Sequence, residues 1–443
     1  MVAIHAREAL PRYGPDGPPP HSTWLIGRRA DLTWLIGSAS YAFAAVAAFH
    51  LLTGVAGIDQ GIAVGVLYLS WAIGFDGTHL FATYSRTYLD AQFRVERRAL
   101  LYMSIAVFAL GPLLVLGFHL LLGPDSARAF AVVFNRFGLT WGYFHLCRQH
   151  WGIASLYRAK GREHTRAARR SDALLLGFGL TFPYAYTTAH VSTPLSFAET
   201  LPLAASTWET LCGALLVVGA LFLAPGVTLR ARGEIANLTL SVSRYLGATL
   251  LVCGCSVAAA LAVGLDRLLV GAQWLLGVGF LVALGYAAAH ELASRRGGAP
   301  SNLPRWLLLA SALLTHNALL AMTELPPAIP VLALTLFHNV QYHRIVWFHN
   351  VNRYGADPDG ANFGIAGLLT RRLLAYACAA TIFSALYVLP KAANAAFMRH
   401  ELAHYTLLAF FWGFAFHHYL LDAVIWRPGR SPTVAANLGI ADR

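Results

Sequence analysis

Windows of about 20 mostly apolar residues, the length a helix needs to cross the hydrocarbon core of a bilayer, recur from residue 33 to residue 425. They predict about twelve helical spans, at 33–55, 60–83, 99–122, 131–156, 172–190, 205–224, 239–263, 268–292, 304–322, 327–348, 367–389 and 401–425. The fourth window is interrupted by Asn135 and Arg136. Residues 1–32 read as a polar N-terminal tail, 33–426 as the transmembrane domain and 427–443 as a polar C-terminal tail. The first thirty or so residues hold no apolar stretch of the kind a cleavable signal peptide requires. The expected fold is therefore all-α, a polytopic transmembrane helix bundle.

Composition agrees with that pattern. Hydrophobic residues make up 57% of the 443 positions and charged residues 12%, with a mean hydropathy of +0.54, outside the range of ordinary soluble domains. The five cysteines sit inside apolar runs without a CxxC pair, so they read as small packing residues and not as a disulfide framework or a thiolate metal site.

Arginines give the spans a direction. They gather in the N-terminal tail (Arg7, Arg12, Arg28, Arg29), after the second window (Arg86, Arg94, Arg97, Arg98) and after the fourth (Arg158 through Arg170), and recur in every second loop thereafter. The alternate loops contribute little beyond Arg128, Arg267, Lys391 and Arg399. By the positive-inside rule this alternation places both termini in the cytoplasm, with a bacterial inner (plasma) membrane as the expected location. It also explains the net charge of +12 without nucleic acid: short arginine loops without an aromatic-interleaved binding module are topology signals and contacts to anionic headgroups.

Ionisable side chains at membrane depth are costly and are retained mainly for function. Asp76 and His79 fall in the second window, His145 and His150 in the fourth, His338 and His343 in the tenth, and His417, His418 and Asp422 in the twelfth. On the arginine topology all lie toward the cytoplasmic end of even-numbered spans, so four helices can bring them to one pocket if the bundle sets those helices side by side. Asp76 with His79 (i, i+3) and His418 with Asp422 (i, i+4) share a helix face. The two His-x4-His pairs do not, since five residues turn an ideal helix by about 140° beyond one revolution. Each pair must therefore serve two different ions or use a local widening of the helix. His349 stands at a predicted helix end as either a further metal ligand or a solvated interfacial residue. His50, His119, His190, His290 and His316 read as interhelical hydrogen-bonders. Arg148 and Arg344 either hold the headgroup of a substrate or snorkel to the interface.

Phe144–His150 (FHLCRQH) and Phe337–His343 (FHNVQYH) share a pattern, and Phe416–Asp422 reads FHHYLLD. These segments resemble the histidine boxes of integral-membrane histidine-motif non-haem di-iron proteins, the fatty-acid desaturases and alkyl hydroxylases. Phe414 stands where the HxxHH box of that group has its first histidine, and the group has far fewer spans. The resemblance covers about thirty residues and implies a kind of chemistry, not a shared fold; the histidine-rich bacterial carotene-cleaving proteins are as compatible.

The expected function is that of a membrane oxidoreductase holding iron, two ions in the di-iron reading, through His79, His145, His150, His338, His343, His417 and His418. Asp76 and Asp422 serve as carboxylate ligands or as acceptors behind the ligands. Other first-row metals fit the same donors. O2, a lipophilic lipid, fatty acyl or isoprenoid substrate and a separate electron donor complete the expected set of partners. A secondary transporter for metal ions or protons and a b-type haem protein are the alternatives.

Overall fold

The computed structural model describes residues 22–190, 265–355, 360–394 and 400–440, with Asp357 and isolated positions between 213 and 255. Among these residues the structure is helical and contains no strand. The contacts form two compact units, Met1–Pro183 with Phe280–Arg443, and Tyr184–Gly279. All candidate site residues belong to the first. The windows predicted at 205–224 and 239–263 lie outside the continuously described residues.

The remaining windows correspond to long helices. The first is a pair, α1 (Arg28–Ile36) and α2 (Ala39–Val55), bent by 43°. The buried Asp31 carboxylate anchors the chain as it enters α1, accepting from the backbone N–H of Leu25 at 2.7 Å and of Ile26 at 3.0 Å. Helix α3 (Gln60–Ser85) starts at Asp59, whose side chain accepts from the N–H groups of Gly61 and Ile62, the usual capping of orphan N-terminal donors. A π-helical turn, Ala72–Asp76, lies inside it, directly ahead of His79. Helix α4 (Arg98–Leu122) ends at Gly123, whose φ of 90° suits glycine; Pro124 then opens α5 (Pro124–Lys160) at its first turn, where a missing N–H costs nothing. After α6 (Arg166–His190) and α7 (Leu265–Arg296) come α8 (Leu303–Ala321), capped by Asn302, α9 (Ala328–Tyr354), α10 (Leu373–Ala393) and α11 (Glu401–Ile425).

By length and composition, five described helices can cross a membrane, six if the bent α1–α2 pair is one span. Those five include α3, α4, α10 and α11. Helix α4 turns Tyr102, Ile105, Leu113 and Leu121 outward, an apolar face suited to lipid. Helix α9 is the opposite case: His338, Asn339, Gln341 and His349 are buried along with its apolar residues, so it runs through the protein interior. Its polar side chains, like those of α5, make both helices less apolar than their neighbours.

Two glycine contacts set the approach of the helices that carry the histidines. A Cβ on Gly138 of α5 would stand 2.5 Å from the Trp412 ring of α11, and one on Gly77 of α3 would stand 2.8 Å from the Ser384 Cα of α10. Small residues allow such close packing where lipid supplies no hydrophobic drive between helices. Asn135, awkward as a sequence feature, accepts from Trp412 Nε1 at 2.9 Å and so locks the same α5–α11 contact. At the arginine-rich end of α5, Arg158 pairs with buried Asp172, and Arg305 pairs with Glu163 and lies 3.7 Å from Asp172. These ion pairs join α5, α6 and α8.

Candidate metal centre

Four imidazoles from four helices converge in the interior. His79 of α3, His145 of α5, His338 of α9 and His418 of α11 each offer a ring nitrogen, and these four nitrogens all lie within 4.8 Å of one another. His79 Nε2 is 2.8 Å from His418 Nε2 and 3.3 Å from His338 Nε2. The His145 ring centroid is 5.0 Å from that of His338 and 5.1 Å from that of His418. His79, His338 and His418 are buried.

Hydrogen bonding alone leaves this group unsatisfied. A single proton on His79 Nε2 can serve only one of its two imidazole contacts. His145 Nε2, His79 Nδ1 and His338 Nδ1 are buried without a hydrogen-bond partner among the described residues, which is costly for polar atoms. A cation removes the conflict at the shared nitrogens. Ligands about 2.05 Å from a tetrahedral ion lie roughly 3.3 Å apart, a spacing between the 2.8 Å contact of His79 with His418 and the 4.8 Å limit of the whole group. Imidazole donors suit iron, zinc, copper and nickel. Axial haem ligands need a porphyrin plane between their nitrogens, and the 2.8 Å separation of His79 and His418 leaves no room for one.

A polar chain stands behind one ligand. Thr83, one turn beyond His79 on α3, donates its hydroxyl proton to Asp422 Oδ1 at 2.8 Å. Its oxygen also lies 2.7 Å from His418 Nδ1 and 2.6 Å from the Tyr342 hydroxyl. With an ion on Nε2, the His418 proton would stand on Nδ1 and Thr83 would accept it, the arrangement in which outer partners orient metal-binding histidines. Tyr342 also donates to Asp422 Oδ1, at 2.6 Å, and receives from Trp426 Nε1 at 3.3 Å. Tyr419 stacks on His145 with centroids 4.2 Å apart. Asp422 thus accepts hydrogen bonds behind the four histidines; its Oδ2 is 3.7 Å from His418 Nε2.

The other candidates lie elsewhere. His150 Nε2 is 3.1 Å from His316 Nε2, and His316 Nδ1 is 3.0 Å from the Tyr143 hydroxyl, which itself donates to the Leu180 carbonyl. His343 Nε2 lies 3.0 Å from Thr78 Oγ1, whose own proton goes back to the helix carbonyl of Gly74 or Phe75. His417 has Ser104 Oγ at 2.9 Å and Tyr88 OH at 3.1 Å on Nε2, with Tyr84 OH at 3.2 Å from Nδ1; it ties α11 to α4 and to the end of α3. Asp76 sits in the π turn, with Lys391 as the charged group acting on it. His349 Nε2 contacts Arg86 Nη2 at 3.1 Å. The Arg148 guanidinium lies over Trp151, 5.2 Å from the ring centroid, and Arg344 keeps a buried Nε without a hydrogen-bond partner among the described residues.

The two His-x4-His pairs thus divide as straight helices require, one member in the cluster and the other turned away. No widening occurs within either pair, since α5 and α9 are continuous α-helix through them. Four histidines form one metal-sized group, a geometry for one ion. Thr83 and Tyr419 were not singled out from the sequence, although Thr83 follows His79 by four residues and Tyr419 adjoins His418; His316 was assigned to hydrogen bonding, which it does. Compared with known protein families, curated proteins and solved structures, the chain shows no match in any of the three.

Proposed function

We propose that the protein is an integral-membrane, metal-dependent oxidoreductase that uses O2 on a lipophilic substrate and holds one first-row ion, iron in this reading, through His79, His145, His338 and His418. The observation that carries the proposal is the convergence of these four imidazoles from four separate helices, with one nitrogen of each within 4.8 Å of the others and His79 Nε2 shared between two imidazoles, which one proton cannot bridge. The bundle has twelve spans with both termini in the cytoplasm of a bacterial cell, which sets the centre toward the cytoplasmic face, within reach of a separate electron donor.

A redox-active ion held by neutral imidazoles supplies one-electron and O2 chemistry when bound. The chain's own residues do the rest. Thr83 and Asp422 keep the proton of His418 on Nδ1 and its ring in place. Tyr342 and Tyr419 pack against His79 and His145 and shield the group from water, so polar interactions there act at low dielectric.

Metal analysis and an absorption spectrum of the purified protein test the proposal. The expected result is about one first-row ion per chain, mainly iron, with no Soret band. Protein that neither carries nor takes up such an ion, or that shows a Soret band, overturns it.

A further inference from the structure

Seven residues past His79, Arg86 closes α3 as its C-cap, with Thr83 between them on the same side of the helix. The Cα positions of His79 and Arg86 are therefore about 10 Å apart along the axis. Arg86 is 6% exposed. Its Nη2 contacts His349 Nε2 at 3.1 Å, but Nε and Nη1 are buried without a hydrogen-bond partner among the described residues. On one face the guanidinium is covered by Trp426, with the ring centroid 3.9 Å from its central carbon. That ring is only partly buried.

A guanidinium is always charged and carries donors in a planar fork that matches an oxyanion. Burying it with two nitrogens unserved is costly. The charged groups acting on it are Arg353 and Asp422. Arg353 is paired with Asp90 at 3.2 Å and offers no negative charge. Asp422 is already engaged by Tyr342 and Thr83, so one carboxylate serves both Arg86 and the histidine cluster. Four neutral imidazoles would leave the full charge of a bound cation in place, and the region then carries excess positive charge.

We infer that Arg86, with His349 and the Trp426 ring, forms an oxyanion subsite that binds the carboxylate or phosphate head of the substrate. The substrate class is then an amphiphile with an anionic head. This inference rests on the metal-centre reading for its link to the reaction, but the unserved nitrogens of Arg86 stand without it. The partly buried Trp426 ring is the cover that must shift for the head to enter.

Equilibrium binding of oleate and of oleyl alcohol to the purified protein, followed by tryptophan fluorescence, tests the subsite. Oleate should bind about tenfold or more tighter than the alcohol, the size of effect a charge-assisted hydrogen bond gives. Arg86→Gln, which keeps a donor toward His349 and removes the charge, should make the two ligands bind alike, and Arg86→Lys should retain part of the difference. Competition by millimolar inorganic phosphate would assign the subsite to small free oxyanions as well; its failure would assign it to the head of the amphiphile. Equal binding of acid and alcohol by the wild type overturns the inference. So does an unchanged preference in Arg86→Gln, or loss of bound metal from folded Arg86→Gln, which would make Arg86 a support of the cluster. A wild type that prefers oleate yet holds no metal would sink the proposed function and leave the anion subsite standing.

Discussion

His418 and Asp422 lie one turn apart on α11, yet they are joined through a residue of another helix: Thr83 Oγ1 lies 2.7 Å from His418 Nδ1 and 2.8 Å from Asp422 Oδ1. Direct contact between the pair is a longer 3.7 Å. Because Thr83 is one turn beyond His79 on α3, the same hydroxyl links the backbones that present two of the four imidazoles. Removing it should loosen both. Thr83→Val is expected to weaken metal binding by about 10- to 100-fold, the usual effect of losing an outer partner. Thr83→Ser should restore it. Equal metal affinity in Thr83→Val and the wild type, measured by competition with a chelator, would show that the hydroxyl does not orient His418.

The histidines should separate into two groups when each is replaced by alanine. His79, His145, His338 and His418 variants should each lose most of the bound ion, on the order of tenfold or more in affinity. His150, His343 and His417 variants should keep it. His417→Ala should instead lower stability by about 1–3 kcal/mol, since it removes the ring that Ser104, Tyr88 and Tyr84 share; Ser104 and Tyr88 keep the Leu101 carbonyl, whereas the Tyr84 hydroxyl loses its imidazole partner. Metal content by elemental analysis, with thermal unfolding of the same samples, distinguishes the groups. Retention of metal in His145→Ala, or its loss in His417→Ala, would contradict the assignment.

Gly138 should tolerate no side chain. With Trp412 ring atoms 2.5 Å from the position of a Cβ, Gly138→Ala must push α5 and α11 apart or turn the indole away from Asn135. The expected cost is about 1–3 kcal/mol from overpacking, together with weaker metal binding, because His145 and His418 ride on those two helices. Gly152 of α5, which has open space around it, serves as the control. Normal stability and metal content in Gly138→Ala would place the α5–α11 contact elsewhere.

Reporter fusions after Arg98, Arg170 and Arg296 should read cytoplasmic, and one near Glu199 external, as the arginine alternation requires. An external signal after Arg170 would invert α5 relative to that topology and remove the cytoplasmic placement of the centre.

In the described residues, helix positions were legible along the chain because they depend on local composition: a run of apolar residues must be helical to satisfy its backbone in lipid. Asp59, Asn302, Gly123 and Pro124 then fix individual ends in the fold through short-range chemistry. The set of ionisable residues at membrane depth was equally visible, since each is conspicuous against its neighbours. Which of them meet was not. Helical spacing shows that His145 and His150, or His338 and His343, cannot face one point, but it does not say which member turns inward. That choice follows from how whole helices are rotated against one another, through Gly138 of α5 against Trp412 and through Gln341 of α9, which donates to the Leu35 carbonyl. Contacts between residues hundreds of positions apart set those rotations. Thr83 lacked a signal for the same reason: a threonine in a helix is ordinary until the fold sets it between a histidine and an aspartate from another helix.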